Sequence, residues 1–153
     1  MAEKKTPLNP KMDEIIRAVV KEKGYKLDRK ETDVTDGTYG IEIVDEDLTF
    51  FVYLNVYADV DMVTFTTVVD ELSERAEKIG ICDLDALYQK VANAVSGYSF
   101  ALRVDEDYSY FVEFRYTALK CDTEEAVTLG IDTCIDASCD YIAGLEDEVG
   151  LKY

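Results

Sequence analysis

The sequence contains no histidine, no tryptophan and only 2 prolines among its 153 residues. Without histidine, the chain cannot use a Ser-His-Asp or Cys-His nucleophile, bind zinc or haem through imidazole, or transfer protons with that ring. Both prolines precede residue 11, so no proline-rich linker separates domains. The longest uninterrupted apolar run, residues 50–54, is far shorter than the about 20 residues of a membrane-spanning helix. We therefore expect no membrane segment.

Cationic residues are scarce relative to acidic ones. The chain has 16 Lys and Arg against 33 Asp and Glu, which gives a net charge of −17. The average surface of such a protein repels nucleic acids and anionic membranes, so we expect neither as a partner. Hydrophobic residues make up 48% of the chain, which is enough for a core, and 153 residues suit a single domain.

The cysteines do not form a recognisable site. No two of Cys82, Cys121, Cys134 and Cys139 have the C-x-x-C spacing of a zinc knuckle or a redox pair. So few thiols in a chain of this length predict reduced, mostly buried side chains. The N-terminus has no apolar stretch after its lysines, so it predicts no secretory signal, and the expected location is the cytoplasm.

The segment between Asn9 and Gly24 predicts the first helix. Asn9 suits the capping position, Pro10 suits the first helical turn, and Gly24 suits the left-handed residue that follows a helix. Apolar residues recur at the spacing of one helical face and predict its buried stripe: Met12, Ile15, Ile16, Val19 and Val20.

A β-rich stretch follows this helix. It begins at Tyr25–Leu27, and Thr35–Gly37 is typical of a turn. Asp45–Asp47 joins two strands of apolar, aromatic and β-branched residues and predicts a hairpin connection. A further strand is predicted over Val60–Phe65.

The sequence after Thr67 allows two interpretations. Thr67 and Asp70 resemble a capping pair, and the apolar spacing predicts a helix over Val68–Ile79, closed by Gly80. In the alternative, Val60–Val69 is one strand and the remainder is a charged connection.

The last part of the chain predicts a helix, two strands and a longer helix. The first of these helices runs from Asp83 to Gly97, and the strands are Tyr98–Val104 and Tyr108–Thr117. The final helix opens at Asp122, with an acidic residue three positions later. Its predicted buried stripe is Val127, Ile131, Cys134, Ile135, Ser138 and Ile142.

An internal repeat links the two hairpins. Residues 44–52 return at 104–112, an offset of 60, and six of the nine positions are identical. Two interpretations carry similar weight: a duplicated helix-plus-hairpin unit, or two hairpins that converge on acidic turns between aromatic strands. The offset preserves strand parity. The even positions, which are all apolar or aromatic, therefore predict the core face in both copies: Phe50, Val52, Leu54, Val56, Tyr110, Val112, Phe114 and Tyr116.

Three features carry a resemblance to a known family. They are the sequence KEKGYKL at Lys21–Leu27, the VDED hairpins at 44–47 and 104–107, and the acidic last helix from Asp122. On these residues and on the order of its elements, most of the chain resembles the YbjN family. That family shares the fold of type III secretion chaperones of the Tir-chaperone kind. Extra sequence at Val60–Ile79 departs from the family pattern.

The predicted fold class is α+β, with a single twisted antiparallel sheet and helices in the order α-βββ(β)-(α)-α-ββ-α. The resemblance makes this a secretion-chaperone-like fold. It also implies small acidic proteins that bind a protein client or act as regulators, often as dimers, and catalyse no reaction. The expected organisation is a flexible tail over residues 1–9, one domain over 10–145 and a C-terminal tail over 146–153.

The odd-numbered strand positions hold the candidate binding residues, which are Phe51, Tyr53, Tyr57 and Phe111. These rings would give a partner segment or a second protomer a large contact area at low entropic cost. Alternatively, another helix of the same chain covers these rings, because the chain has three or four predicted helices to pack against the sheet. An acidic protein of this kind would favour a basic client.

No residue is predicted to be catalytic, and no metal or cofactor is expected. The acidic runs 45–47 and 105–107 lack the D-x-D-x-D-G calcium pattern, and consecutive carboxylates point alternately, so they predict solvated turns. The glycines match neither G-x-G-x-x-G nor a P-loop. The alternative hypothesis is a metal-dependent or hydrolytic enzyme that relies on Asp and Glu alone, with its carboxylates converging in a pocket.

Overall fold

The computed structural model describes residues 6–71, 100–104 and 110–149. Within these ranges, the helices are α1 (Pro10–Lys23) and α2 (Glu124–Val149). The strands are β1 (Lys26–Leu27), β2 (Thr38–Asp45), β3 (Leu48–Val56), β4 (Val63–Glu71), β5 (Phe100–Val104) and β6 (Tyr110–Ala118). The helix predicted between Asp83 and Gly97 and the acidic hairpin tip at 105–107 lie outside the described residues.

The chain divides into two compact units. Unit 1 comprises Met1–Thr66 and Tyr116–Cys134, and unit 2 comprises Thr67–Arg115 and Ile135–Tyr153. Strands β4 and β6 and helix α2 each contribute residues to both units. Unit 1 holds α1, β1, β2 and β3, and unit 2 holds the β5–β6 pairing from Phe100 to Phe114.

Helix α1 has the boundaries that its sequence predicts. The Asn9 side chain accepts a hydrogen bond from the Met12 backbone N–H at 3.2 Å. Gly24 ends the helix in the left-handed conformation at φ 71°, and the N–H of Tyr25 donates to the carbonyl of Val20 at 2.9 Å. The predicted stripe is buried except at Ile15, which is half-buried.

The strands form one six-stranded sheet in the order β1-β2-β3-β4-β6-β5. Neighbours along β1 to β4 pair antiparallel, as do β5 and β6. The acidic turn between β2 and β3 is present as predicted, with Glu46 at φ 53°. An antiparallel sheet combined with helices confirms the predicted α+β class.

Both described helices contact the same face of this sheet in unit 1. The Tyr39 hydroxyl on β2 donates to Asp13 Oδ1 on α1 at 2.7 Å. On α2, Gly130 lies directly against the Phe65 ring, which leaves no room for a Cβ at that position. Tyr39 is opposite Leu54, and Leu54 is opposite Phe65, so these side chains share a face. We call it the helix face.

The parity prediction is confirmed where side chains are described. On β3, the even residues are all buried: Phe50, Val52, Leu54 and Val56. On β6, Val112 and Phe114 are buried and Tyr116 is half-buried. Glu113 is also buried, at 6% exposure, and its carboxylate accepts from Arg115 Nη2 at 2.9 Å. A charged side chain can lie in the interior at this position because its ion-pair partner is adjacent.

The predicted helix over Val68–Ile79 is wrong for the part that is described. Strand β4 continues to Glu71, so the alternative of a strand through Val69 is the one observed. Thr66–Val69 is a run of β-branched residues, which favours an extended backbone. Burial alternates here with period two, since Thr67 and Val69 are buried and Val68 is 39% exposed. Residues 72–79 lie outside the described residues.

The cap of the last helix is displaced by one residue from its predicted position. Helix α2 begins at Glu124, and Thr123 Oγ1 accepts from the Ala126 N–H at 3.1 Å. Asp122 precedes this cap, and one of its oxygens lies 3.7 Å from Lys11 Nζ. Both residue types suit a cap, and only the backbone conformation decides between them.

The buried side of α2 also differs from the predicted stripe. Ile135 and Ile142 are half-buried, whereas Ala137 and Tyr141 are buried. The predicted core positions Val127, Ile131, Cys134 and Ser138 are buried. The buried side of α2 is therefore rotated slightly from the predicted stripe, and it includes Ala137 and Tyr141.

Part of each predicted tail is described, namely residues 6–9 and 146–149. The Leu8 N–H donates to the Val34 carbonyl at 2.8 Å, and Asn9 is 8% exposed. At the other end, α2 continues to Val149, past the predicted boundary at residue 145.

Candidate functional site

The side of the sheet opposite the helix face in unit 1 carries two of the four predicted binding residues, Phe51 and Tyr53. We call it the reverse face. Strand register places on it Thr38, Gly40 and Glu42 of β2, Phe51, Tyr53 and Asn55 of β3, and Thr64 and Thr66 of β4. Its composition is mixed, as the odd-numbered positions predict.

Phe51 is the large apolar side chain of the reverse face on β3. It lies opposite Glu42 on β2, and 41% of its surface is exposed. An aromatic ring in an exposed strand position offers a large apolar area beside a carboxylate.

Tyr53 is more enclosed than its neighbour. It pairs with Gly40, and a Cβ at Gly40 would lie 3.3 Å from Tyr53 Cε1, so the ring lies against the strand where no side chain intervenes. Burial raises the pKa of the Tyr53 phenol, and the carboxylates of Glu31 and Asp28 raise it further. The segment between β1 and β2 therefore borders this ring and surrounds its hydroxyl with negative charge.

Tyr57 follows the last residue of β3. Its carbonyl accepts from Asn9 Nδ2 at 2.9 Å, so the residue that caps α1 also fixes the backbone at the end of β3. The Tyr57 side chain is 42% exposed. This backbone is held in place while the ring remains accessible.

Phe111 belongs to unit 2, where it is half-buried and lies opposite Arg103 in the β5–β6 pairing. The structure thus gathers Phe51 and Tyr53 on one strand, with Tyr57 after its end. Phe111 is part of the other unit.

Beyond the aromatic residues, the reverse face carries exposed Val44 at one end and polar side chains at the other. Thr38 Oγ1 donates to Asn55 Oδ1 at 3.1 Å, and the hydroxyls of Thr64 and Thr117 lie 3.4 Å apart. Since these groups pair with each other, the aromatic part of the face is bordered by a hydrogen-bonded polar strip.

The described thiols and carboxylates show no reactive arrangement. Burial raises the pKa of Cys121 to about 11 and that of Cys134 to about 12. Cys134 is buried, as its place in the predicted stripe requires, and Cys139 is exposed. Within residues 6–71, 100–104 and 110–149, no group of three or more Cys, Asp or Glu side chains could hold a metal ion.

An open groove in unit 1 has no counterpart in the sequence expectations. It lies between α1, β1 and the segment leading to β2, and its volume is about 1090 Å³. Apolar side chains line part of it: Pro7, Val20, Leu27 and Val34. Three cations also line it: Arg17, Lys26 and Arg29. Lys26 and Arg29 are three residues apart, but Arg17 belongs to α1, and no sequence motif joins the three cations.

One solved structure with a similar fold is described as "Structure of the HopA1-SchA Chaperone-Effector Complex". The match to one of its chains has a TM-score of 0.51 at 8% sequence identity, and it covers 86% of this chain and 92% of that one. At this identity the likeness shows the fold alone, and it confirms the secretion-chaperone-like fold that the sequence predicts. No family model and no curated protein matches the chain. No described helix is long and apolar enough to cross a membrane.

Proposed function

We propose that this chain, which has the fold of a protein in a chaperone–effector complex, is a non-enzymatic module that binds an extended segment of a protein partner on the reverse face. The observation that carries the proposal is the 41% exposure of Phe51 on the reverse face, with Tyr57 42% exposed just after the end of β3, while both described helices contact the opposite side of the sheet. Exposed aromatic rings beside a polar strip are typical of protein-binding surfaces.

The two aromatic positions on β3 supply the contact area. Phe51 and Tyr53 are two residues apart on one strand, so their rings lie on the same side of the sheet. Covering such rings gives favourable apolar burial, and few rotamers are lost because each ring has two side-chain torsions. Tyr53 is already ordered against Gly40, which lowers the entropic cost of binding further.

The charges around these rings indicate what the partner carries. Glu42 is opposite Phe51, and Asp28 and Glu31 act on the Tyr53 phenol. A segment with apolar residues flanked by Lys or Arg would place its cations near these carboxylates. The net charge of −17 would also accelerate the approach of a basic segment.

The finer family assignment is part of the same proposal. The YbjN resemblance and the structural neighbour, which belongs to a chaperone–effector complex, both support a chaperone-like or regulatory role, which we place in the cytoplasm. A second copy of the chain is the other candidate occupant of the reverse face. In that case the protein would be a homodimer.

The first experiment is affinity purification of the tagged chain from its own cells, with the co-purifying proteins identified by mass spectrometry. The wild type is compared with Phe51→Ser/Tyr57→Ser. The matched control is Leu129→Ser, which removes an apolar side chain that is 60% exposed on α2, the helix that contacts the opposite side of the sheet. We expect the first variant to bind the partner with a Kd higher by roughly 30-fold, about 2 kcal/mol, and the control to bind as the wild type does.

Equal binding by all three proteins would contradict the proposal. A dimer that becomes monomeric only in Phe51→Ser/Tyr57→Ser, measured by light scattering, would identify the occupant as a second copy. The enzyme alternative is tested separately by thermal unfolding with Ca²⁺ or Mg²⁺ at millimolar concentration, because a specific metal site would raise the midpoint by mass action.

A further inference from the structure

The cationic groove of unit 1 differs in charge from the rest of the chain. Its lining includes Arg17, Lys26 and Arg29 against one acid, Asp13, which gives a local balance of +2. The whole chain carries −17. Cations that converge on a concave surface of so acidic a protein are a specific local feature, and acidic composition alone does not produce them.

The acid of the groove is already neutralised by its own contacts. Both carboxylate oxygens of Asp13 accept hydrogen bonds from Arg17 Nε, at 3.1 and 3.0 Å. Asp13 Oδ1 also accepts a hydrogen bond from the Tyr39 hydroxyl at 2.7 Å. Arg17 engages Asp13 through Nε, and among the described residues none accepts a hydrogen bond from its Nη groups. The guanidinium therefore keeps two donor nitrogens for another group.

Glu42 lies opposite Lys26 in the β1–β2 pairing, whereas two carboxylates of the loop that carries Arg29 bind their own backbone. Asp28 Oδ1 accepts from the Lys30 backbone N–H at 3.1 Å, and Asp33 Oδ1 accepts from the Thr35 N–H at 3.0 Å. Within the described part of the chain, neither Lys26 nor Arg29 forms an ion pair. Asp28 and Asp33 therefore each direct a carboxylate oxygen to a backbone N–H of their own loop, and the positive charge of the groove remains available to a ligand.

We propose that this groove binds a small amphiphilic anion, a carboxylate or phosphate attached to an apolar body. Arginine presents its donors in a planar fork that fits either oxyanion. Val20, Leu27 and Val34 give the apolar body a wall to contact. The volume of about 1090 Å³ slightly exceeds the usual range of ligand pockets, roughly 300–1000 Å³, so an octyl-sized body would fit in it. This proposal does not depend on the proposed partner binding, although the groove adjoins the reverse face where Lys26 lies opposite Glu42.

The test is thermal unfolding and calorimetric titration of the full chain with octyl phosphate, octanoate and inorganic phosphate. We expect saturable binding of at least one of the two octyl compounds, accompanied by a rise in the unfolding midpoint. The compound that binds more tightly identifies the oxyanion as phosphate or carboxylate. Inorganic phosphate is expected to bind at least about tenfold more weakly, because it has no apolar body.

The matched variants are Arg29→Gln and Lys30→Gln. Both remove one positive charge from the same loop, but only Arg29 lines the groove. We expect Arg29→Gln to weaken binding about tenfold and Lys30→Gln to leave it within about twofold. Lys26→Gln is the second groove variant if Arg29→Gln lowers the unfolding midpoint without ligand.

Three results would overturn the proposal: no saturable binding of either octyl compound, equal weakening by Lys30→Gln, or inorganic phosphate binding as tightly as octyl phosphate. The variant Phe51→Ser/Tyr57→Ser should bind the anion as the wild type does. A failure of the reverse-face proposal is therefore distinguishable from a failure of this one.

Discussion

Two glycines of unit 1 adopt the left-handed backbone conformation, but their surroundings differ. Gly24 has φ 71°, and a Cβ there would meet nothing within 4 Å. Gly37 has φ 76°, and a Cβ there would lie 2.6 Å from the Val56 carbonyl oxygen. The same backbone strain therefore applies at both positions, while a steric clash applies only at Gly37.

This pair gives a prediction with its own control. Gly24→Ala should lower the free energy of unfolding by about 1–2 kcal/mol, the cost of a left-handed alanine. Gly37→Ala should lower the free energy of unfolding by about 1–3 kcal/mol more than Gly24→Ala does, because the β3 backbone must shift to admit the methyl group. Urea denaturation measures both losses. Equal losses would contradict the prediction, because they would mean that the Val56 backbone shifts without a measurable loss of stability.

Single residues also show what local sequence patterns miss. Gly130 weakens helix propensity, and the sequence offers no reason for it. In the structure, the Phe65 ring occupies the place of a side chain at that position. Phe65 precedes Gly130 by 65 positions, so only the tertiary contact explains the glycine.

At the scale of elements, the start of α2 depends on one hydroxyl. Thr123→Ala should lower the free energy of unfolding by about 1 kcal/mol, because the Ala126 N–H loses its acceptor. Asp122→Ala is the control, and it should cost less, since its side chain is exposed and forms a salt bridge of 3.7 Å with Lys11. Urea denaturation also measures these two losses. A larger loss for Asp122→Ala than for Thr123→Ala would indicate that Asp122, the residue that the sequence favours, caps α2.

Strand β4 shows how two periodicities compete in one segment. Val68, Val69 and Leu72 suit a helical spacing, while Val63, Phe65, Thr67 and Val69 suit a strand. The observed strand buries the second series. Pairing with β3, as in Leu54 opposite Phe65, stabilises the extended form, and a single sequence does not display that partner.

At the scale of the whole molecule, the dominant property is the net charge of −17. Self-repulsion destabilises a compact state, and salt screens it over a Debye length of about 8 Å at physiological ionic strength. Two of the three described ion pairs in unit 1 are exposed on both sides, and the third joins exposed Arg17 to half-buried Asp13, so we expect the loss from screening these pairs to be small.

The unfolding midpoint should therefore rise as NaCl is increased from about 10 to about 200 mM, the range over which the Debye length shortens most. Choline chloride at the same ionic strength is the control, since it screens charge without offering a small cation. A midpoint that falls with salt would contradict the dominance of self-repulsion. A rise with NaCl alone would indicate a sodium site instead.

The sequence by itself determined the acidic character, the α+β class, the caps of α1 and the core face of β3. These features depend on composition, on residues close in the chain or on a period of two, all of which are local. The tertiary structure decided that Thr123 caps α2 and that β4 extends to Glu71. It also placed Tyr53 against Gly40 and gathered the groove cations. Those outcomes depend on contacts between distant residues, whose energies a linear pattern does not contain.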